Sequence, residues 1–182
     1  MAILSIKASV TRLQAAKMLG GRLSELRHGK LRGVLDFYIP YAFFKVSSAN
    51  RASRLLAIDG VTGQLDLYEF DWAPTAEARQ HLESCRLVEA RLNVTAVRER
   101  LEERLMRMVF LQGFFRLNRL ELEAEFVEEV GLPYWVGVYE RGGEVGIEVI
   151  DALRGRLEGA KVREMVTEWF LAQQPLLRRS KH

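Results

Sequence analysis

The sequence has few of the residues that form covalent cross-links or metal sites. Cys85 is the only cysteine, so no disulfide can form within the chain, and a single thiol is typical of the reducing cytoplasm. The histidines, His28, His81 and His182, are far apart in the chain, without His-x-x-x-His or Cys-x-x-Cys spacing. Because a structural zinc site needs several closely spaced ligands, neither a metal nor another cofactor is expected.

Long apolar runs and flexible low-complexity tracts are also missing. The apolar stretches are far too short to cross a bilayer. Lys7 and Arg12 interrupt the brief apolar start of the chain, so a secretory signal is not expected. With 48% hydrophobic and 28% charged residues, the composition is that of a folded globular protein. A cytoplasmic protein without a membrane segment is therefore expected.

Positive charge is concentrated near the start of the chain. Residues 1–54 contain ten Lys or Arg residues against two acids, Glu25 and Asp36, although the net charge of the whole chain is only +3. This excess suggests an anionic partner, nucleic acid included. Four of the basic residues recur every five positions: Arg12, Lys17, Arg22 and Arg27. In a helix this spacing distributes them around the circumference instead of along one face. Nucleic-acid binding is therefore a minority alternative.

Two short segments recur in the same order and predict an internal duplication. Ile39-Pro40-Tyr41 matches Leu132-Pro133-Tyr134 at an offset of 93 residues. The segment from Ile58 to Asp66 then matches that from Ile150 to Glu158 at an offset of 92. A change in the intervening hairpin would absorb the difference of one residue.

Apolar spacing predicts a helix before each set of strands. The first helix is capped by Ser9 and weakened at Gly20-Gly21, and the second begins after Asn93 and ends at Gly113. The apolar residues recur every three or four positions: Val10, Leu13, Ala16, Leu19, Leu23 and Leu26 in the first helix, and Val94, Val97, Leu101, Leu105 and Met108 in the second.

The strand patterns predict antiparallel meanders. Gly142-Gly143 separates two strand-like segments and favours a two-residue hairpin. The predicted fold is α+β, with two tandem similar units, each a helix followed by an antiparallel β-meander, plus a C-terminal helix that Pro175 ends. The predicted boundaries are 1–73 for the first unit, 74–92 for a connecting helical segment, and 93–182 for the second unit.

Each meander contains a turn whose chemistry is readable from its residue types. Asp59 and Asp151 are suited to accept hydrogen bonds from backbone N–H groups, and Gly63 and Gly155, four residues later, to supply positive φ. The prolines of the repeated Pro-Tyr segments, Pro40 and Pro133, mark a strand start, an edge or a bulge. These six residues are predicted to be structural.

The segment Asp59-Gly60-Val61-Thr62-Gly63 resembles the turn of the PepSY family of small α+β modules, and residues 151–155 resemble it more loosely, with Arg154 in place of threonine. PepSY modules bind or inhibit partner proteins and are typically exported or membrane-linked. The resemblance implies a similar fold, and it does not by itself imply a shared function.

Two groups of residues have the composition of a chemical site. His81 and Cys85 are four residues apart and would share one face of a helix, but a buried cysteine beside a solvated histidine is the simpler interpretation. Glu121, Glu123 and Glu125 alternate along one strand and are interpreted as a solvated face. No catalytic, cofactor-binding or metal-binding residue is assigned.

Aromatic residues give the predicted interaction surface. Both faces of the strand at Tyr41–Phe44 are apolar, and the last helix is aromatic. The chain is predicted to be a non-catalytic binding or protein-interaction module, with a homodimer or a protein partner. One alternative is a small-molecule-binding protein or an enzyme with a pocket between the sheets. The residues assigned to the interaction surface are Tyr41, Phe43, Phe44, Trp135, Trp169 and Phe170.

Overall fold

A computed structural model describes residues 3–48, 51–70, 76–82, 86–111 and 122–179 of the chain. Its helices are α1 (Arg12–Leu19), α2 (Arg22–His28), α3 (Val94–Leu111) and α4 (Ala160–Arg179), with a 3₁₀ turn at Ala76–Ala78. Its strands are β1 (Ile3–Ile6), β2 (Lys30–Ser48), β3 (Arg51–Asp59), β4 (Tyr68–Phe70), β5 (Arg79–Leu82), β6 (Leu122–Arg141), β7 (Glu144–Asp151) and β8 (Arg156–Leu157).

The described residues confirm the predicted α+β class, because the helices accompany one mixed sheet of eight strands. Most neighbouring strands are antiparallel: β2 pairs with β3, β3 with β4, β6 with β7, β7 with β8, and β1 with β5. The parallel pair is β1 with β6, where Ser5 lies opposite Gly131. The predicted hairpin at Gly142-Gly143 is confirmed, since both glycines have positive φ between β6 and β7.

The connecting segment 74–92 is not the predicted helix. Among its described residues, Ala76–Ala78 form a single 3₁₀ turn and Arg79–Leu82 form β5. The predicted periodicity was wrong here because β5 hydrogen-bonds along β1, and pairing with a distant strand overrides a weak helical propensity. The predicted stop at Pro175 was also wrong, because α4 continues to Arg179.

The first predicted helix also differs from its prediction. Its N-cap is Thr11 instead of Ser9, and a capping box joins Thr11 to Gln14: each side chain bonds the other residue's backbone N–H. The expected weak point at Gly20-Gly21 divides the helix into α1 and α2. The second predicted helix is confirmed from Val94, and Asn93 caps it by accepting a hydrogen bond from the Ala96 N–H.

Both repeated prolines lie inside long strands, each next to the residue at which pairing with the following strand begins. Pro40 is in β2, one residue before the pairing with β3 begins at Tyr41. Pro133 is in β6, one residue before the pairing with β7 begins at Tyr134. A proline is tolerated here because its missing N–H is not needed for either ladder.

The chain forms two compact units, each made of two separate stretches of sequence. Unit 1 contains residues 1–6 and 39–132, and unit 2 contains residues 7–38 and 133–182. The predicted boundaries at residues 73 and 93 followed chain order. In the structure α1 and α2 belong with β7, β8 and α4, whereas α3 belongs with β3 and β4.

Each unit has an apolar core between a helix and its strands. In unit 1 the buried face of α3 packs on strand residues, with Phe126 against Phe44; the cluster is Ala42, Phe44, Val46, Leu56, Ile58, Val97, Leu101 and Leu105. In unit 2 the buried face of α1 packs on strand residues in the same way. The cluster there is Ala15, Leu19, Val34, Tyr139 and Ile150. Burial of these faces fixes both helices.

Candidate functional site

The Asp59 turn is a closed set of hydrogen bonds. Its carboxylate is fully buried. One oxygen, Oδ1, accepts from the backbone N–H groups of Val61, Thr62 and Gly63 at 2.6–3.2 Å and from the Thr62 hydroxyl at 3.0 Å. The other, Oδ2, accepts from the Leu65 N–H at 2.8 Å. Gly63 has a φ of +67°, the conformation for which a glycine was expected.

The Asp151 turn in unit 2 has the same construction. Its buried carboxylate accepts from the N–H groups of Leu153 and Arg154 at 2.8 and 2.9 Å, and Gly155 has a φ of +66°. In both turns backbone N–H groups donate to the carboxylate, and side chains also approach it: the Thr62 hydroxyl donates to Asp59, and Arg154 Nε lies 3.8 Å from Asp151 Oδ2. These contacts hold each turn closed.

Matching backbone contacts surround the two turns. The Gly60 N–H donates to the Pro40 carbonyl at 2.8 Å, and the Ala152 N–H donates to the Pro133 carbonyl at 3.1 Å. The chain segment that enters each helix is bound in the same way. The N–H groups of residues 91 and 92 donate to the carbonyl of Gly60, and those of residues 9 and 10 donate to the carbonyl of Ala152.

The other candidate chemical groups are dispersed. His81 lies on strand β5, not on a helix, and Cys85 lies outside the described residues. Glu123 and Glu125 are exposed on β6, while Glu121 lies outside the described residues. Within the described ranges, no group of three His, Cys, Asp or Glu side chains is placed to hold a metal ion.

The predicted aromatic surface is largely buried within the single chain. Tyr41, Phe43 and Phe44 are at most 1% exposed, because Tyr68, Phe70 and Phe126 pack on them in unit 1. They are therefore core residues and not an open surface.

The aromatic residues assigned from unit 2 are half-buried. Trp135 donates a hydrogen bond from Nε1 to the Val10 carbonyl at 2.7 Å. Trp169 and Phe170 both pack on Phe37, with ring centroids 5.2 and 6.1 Å away. These ring contacts lie within unit 2, and all three side chains stay partly exposed.

A different surface emerges at α1 and α2, whose positions in unit 2 are fixed by polar contacts. The Tyr139 hydroxyl donates to the Leu19 carbonyl at the end of α1 at 2.7 Å. The Arg141 guanidinium donates to the Leu26 carbonyl in α2 at 3.2 Å. Because these bonds use the carbonyl groups at the helix ends, they leave the outward side chains free to contact solvent.

Gly29 ends α2 at a close approach of two backbones. Its φ is +92°, and a Cβ at this position would lie 2.6 Å from the Cβ of Arg141 and against the carbonyl group of Glu140. Only a glycine combines this conformation with this proximity. Gly29 therefore sets how closely α2 lies against β6.

A buried carboxylate connects α2 with α4. Glu148 on β7 is 6% exposed, and one of its oxygens is 2.8 Å from His28 Nε2 and 3.2 Å from an Arg163 guanidinium nitrogen. His28 is the last residue of α2, and Arg163 lies in the first turn of α4. This cluster could not be found from the sequence, because its members are 15 to 135 residues apart and match no motif.

Tyr139 borders the same cluster and is itself fully buried. Burial raises the pKa of its phenol above the ordinary value, and nearby Glu148 and Glu25 raise it further, while a hydrogen bond with Ser24 opposes the shift. The phenol therefore stays protonated and donates to Leu19 at neutral pH. Tyr139 and the Glu148 cluster therefore together support α2.

The exposed side chains of α1 and α2 combine apolar and basic character. Leu13 is 68% exposed and Leu26 74% exposed, although both belong to the apolar repeat that predicts the first helix. The α1–α2 surface is defined here as Leu13, Lys17, Met18, Arg22, Leu26 and Arg27, all of which are exposed. An open cavity of about 340 Å³ on this surface is lined by Arg22, Glu25 and Leu26.

Among the residues that the structure describes, none neutralises the positive charge of the α1–α2 surface through an ion pair. Residues 7–32 contain seven Lys or Arg residues and one acid, Glu25. In the part of the chain that the structure describes, Arg32 pairs with Glu140, whereas Lys17, Arg22 and Arg27 have no ion pair. By contrast α3 holds four arginines and three glutamates, and Glu103 lies 3.7–3.8 Å from Arg100 and Arg107.

None of the helices in the described part of the chain combines the length and apolar character needed to cross a membrane. No protein-family model, curated protein or solved structure matches this chain. The resemblance to PepSY modules therefore stays a prediction from the residues of the Asp59 turn.

Proposed function

We propose that the chain is a non-catalytic protein-interaction module, and that it binds its partner through the α1–α2 surface. The observation that carries this proposal is the exposure of Leu13 and Leu26 in a segment of unneutralised positive charge. Exposed large apolar residues on a folded surface are typical of binding sites. The supports beneath this surface, Tyr139 and the Glu148 cluster, fix the position of the helices.

We further propose that the module arose from two copies of one unit, of which one copy became the binding surface. The matched turns and helix entries in units 1 and 2 support this proposal. In unit 1 the corresponding helix, α3, has a charge-balanced exterior. A single copy therefore carries the interaction, and the other completes the fold.

Site-specific photo-cross-linking in cells tests the proposed function. A diazirine amino acid would be placed at Leu13 or Leu26, with Met106 on α3, which is 44% exposed, as the matched control position. We expect protein adducts at Leu13 and Leu26 and few at Met106. Equal labelling at all three positions, or no protein adduct at the α1–α2 positions, would contradict the proposal.

A further inference from the structure

We infer that the partner at the α1–α2 surface is an acidic amphipathic peptide segment of another protein. This inference rests on the proposed function and adds the chemical class of the ligand. The surface offers several uncompensated cations, among them Lys17, Arg22 and Arg27, beside the exposed Leu13 and Leu26. A segment with carboxylates and apolar side chains matches both features at once.

A second copy of this chain is a poor occupant of the same surface. A two-fold interface brings the same patch of both copies together. With seven basic residues and one acid in residues 7–32, such an interface would bring like charges together, which opposes association. The positive charge therefore favours a different, acidic chain.

The residues that line the cavity on this surface favour a peptide over a nucleic acid or a lipid headgroup. Its lining contains a cation, Arg22, a carboxylate, Glu25, and an apolar side chain, Leu26. A peptide can satisfy all three, with a carboxylate for Arg22, an N–H or a lysine for Glu25, and an apolar side chain for Leu26. Phosphate groups can accept from Arg22, but they offer neither a donor to Glu25 nor an apolar contact to Leu26.

The lack of aromatic residues around the α1–α2 surface also favours a peptide over a nucleic acid or a membrane. Residues 7–36 contain no Phe, Tyr or Trp. Single-stranded nucleic acids are bound by stacking bases on aromatic rings, and helices that lie in a membrane interface use Trp or Phe with Leu as anchors. The exposed apolar residues here are Leu and Met alone, which suit a groove-binding or helix-packing partner.

A direct binding experiment on the full chain tests this inference. The probe is a synthetic peptide of about 18 residues, with Leu at every third or fourth position and Glu at the others, the spacing that one face of a helix needs. One control peptide carries Lys in place of Glu, and another carries Ser in place of Leu. Single-stranded DNA of similar charge and vesicles of anionic phospholipid are measured in parallel by fluorescence anisotropy or sedimentation.

We expect the acidic Leu peptide to bind and both control peptides to bind at least about ten-fold more weakly. The double variant Lys17→Glu/Arg22→Glu should weaken binding by about 10–100-fold through charge reversal. Leu26→Ser should weaken it by about five- to ten-fold through lost apolar contact. The matched control is Lys45→Glu/Arg98→Glu, which makes the same change of charge at exposed positions of unit 1 and should leave binding within about two-fold.

Several results would overturn the inference. Equal binding of the Leu and Ser peptides would show that charge alone acts. Tighter binding of DNA or vesicles, lost in Lys17→Glu/Arg22→Glu, would assign the surface to phosphates. An equal loss in the unit 1 control variant, or no peptide binding, would remove the site. If cross-linking still maps protein partners to Leu13 and Leu26, the interaction function stands and only the partner class fails.

Discussion

At the scale of single residues, Gly29 is the described glycine at which an added Cβ would come closest to other atoms. Gly29→Ala should destabilise the fold by at least about 1–3 kcal/mol, because the new methyl group meets the Glu140 carbonyl group and the backbone keeps a positive φ. The control is Gly33→Ala in β2, where a Cβ meets nothing within 4 Å. Urea unfolding of the two variants should show the loss in Gly29→Ala only, and equal losses would remove the close approach as its cause.

Tyr139 gives a stability that depends on pH. Its pKa is raised in the folded state, so its contribution is fully present below the unfolded pKa of about 10 and is lost as pH rises through the folded pKa. At neutral pH, Tyr139→Phe should cost about 0.5–1.5 kcal/mol, because the hydrogen bond to Leu19 is removed.

As the pH rises above about 9, towards and beyond the unfolded pKa of about 10, the free energy of unfolding should fall more steeply in the wild type than in Tyr139→Phe, because only the wild type has this phenol to ionise. Urea titrations at several pH values measure the difference between the two proteins. The other tyrosines are common to both and cancel. Parallel pH profiles would show that Tyr139 ionises equally in the folded and unfolded chains.

At the scale of secondary-structure elements, the contacts of Glu148 with His28 and Arg163 hold α2 and α4 on β7. Glu148→Gln should cost about 1.5–3 kcal/mol, since it removes a nearly buried carboxylate that lies within hydrogen-bonding distance of His28 and pairs with Arg163. The control is Glu140→Gln, whose pair with Arg32 is about half exposed and is worth at most about 1 kcal/mol. Thermal melts should rank the variants in this order, and a reversed rank would make the cluster unimportant for stability.

Some elements were predictable from local sequence alone. The hairpin at Gly142-Gly143 and the start of α3 after Asn93 depend on turn and cap chemistry within a few residues. In α3 the recurrence of apolar residues every three or four positions also predicted the buried face, which includes Val97 and Leu101. Here the local preference and the final packing agree.

Other features depended on distant residues and could not be predicted in this way. Strand β5 forms because Arg79–Leu82 pair with Ile3–Ile6, and no local pattern contains that partner. The spacing of Leu13 and Leu26 predicts a helix, but it cannot state which side the rest of the chain covers. The Glu148 cluster is invisible for the same reason, since its members meet only when the chain has folded.

At the scale of the whole molecule, the two units should unfold together, because β2 and β6 each contribute residues to both. Asp59→Ala removes buried turn bonds in unit 1 and should cost about 1.5–3 kcal/mol. The measurement is made in a Trp72→Phe background, because position 72 falls in the unit 1 stretch and the remaining tryptophans, Trp135 and Trp169, are both in unit 2. We therefore expect the midpoint seen by tryptophan fluorescence to fall with the one seen by circular dichroism.

The matched variant Asp151→Ala removes turn bonds in unit 2 and should lower both midpoints in the same way. If Asp59→Ala shifts circular dichroism and leaves the tryptophan transition unchanged, the units unfold independently. If neither variant loses stability, the predicted structural role of the two turns is wrong.

The discontinuous composition of the units also sets the order in which the protein can be completed during synthesis. Helices α1 and α2 are synthesised well before Tyr139 and Ile150, which complete their core in unit 2. Unit 1 is completed only when the chain has been made as far as Leu132. The apolar face of α1 must therefore wait until the chain beyond Pro133 has been made, and in that interval the nascent chain presents it to chaperones.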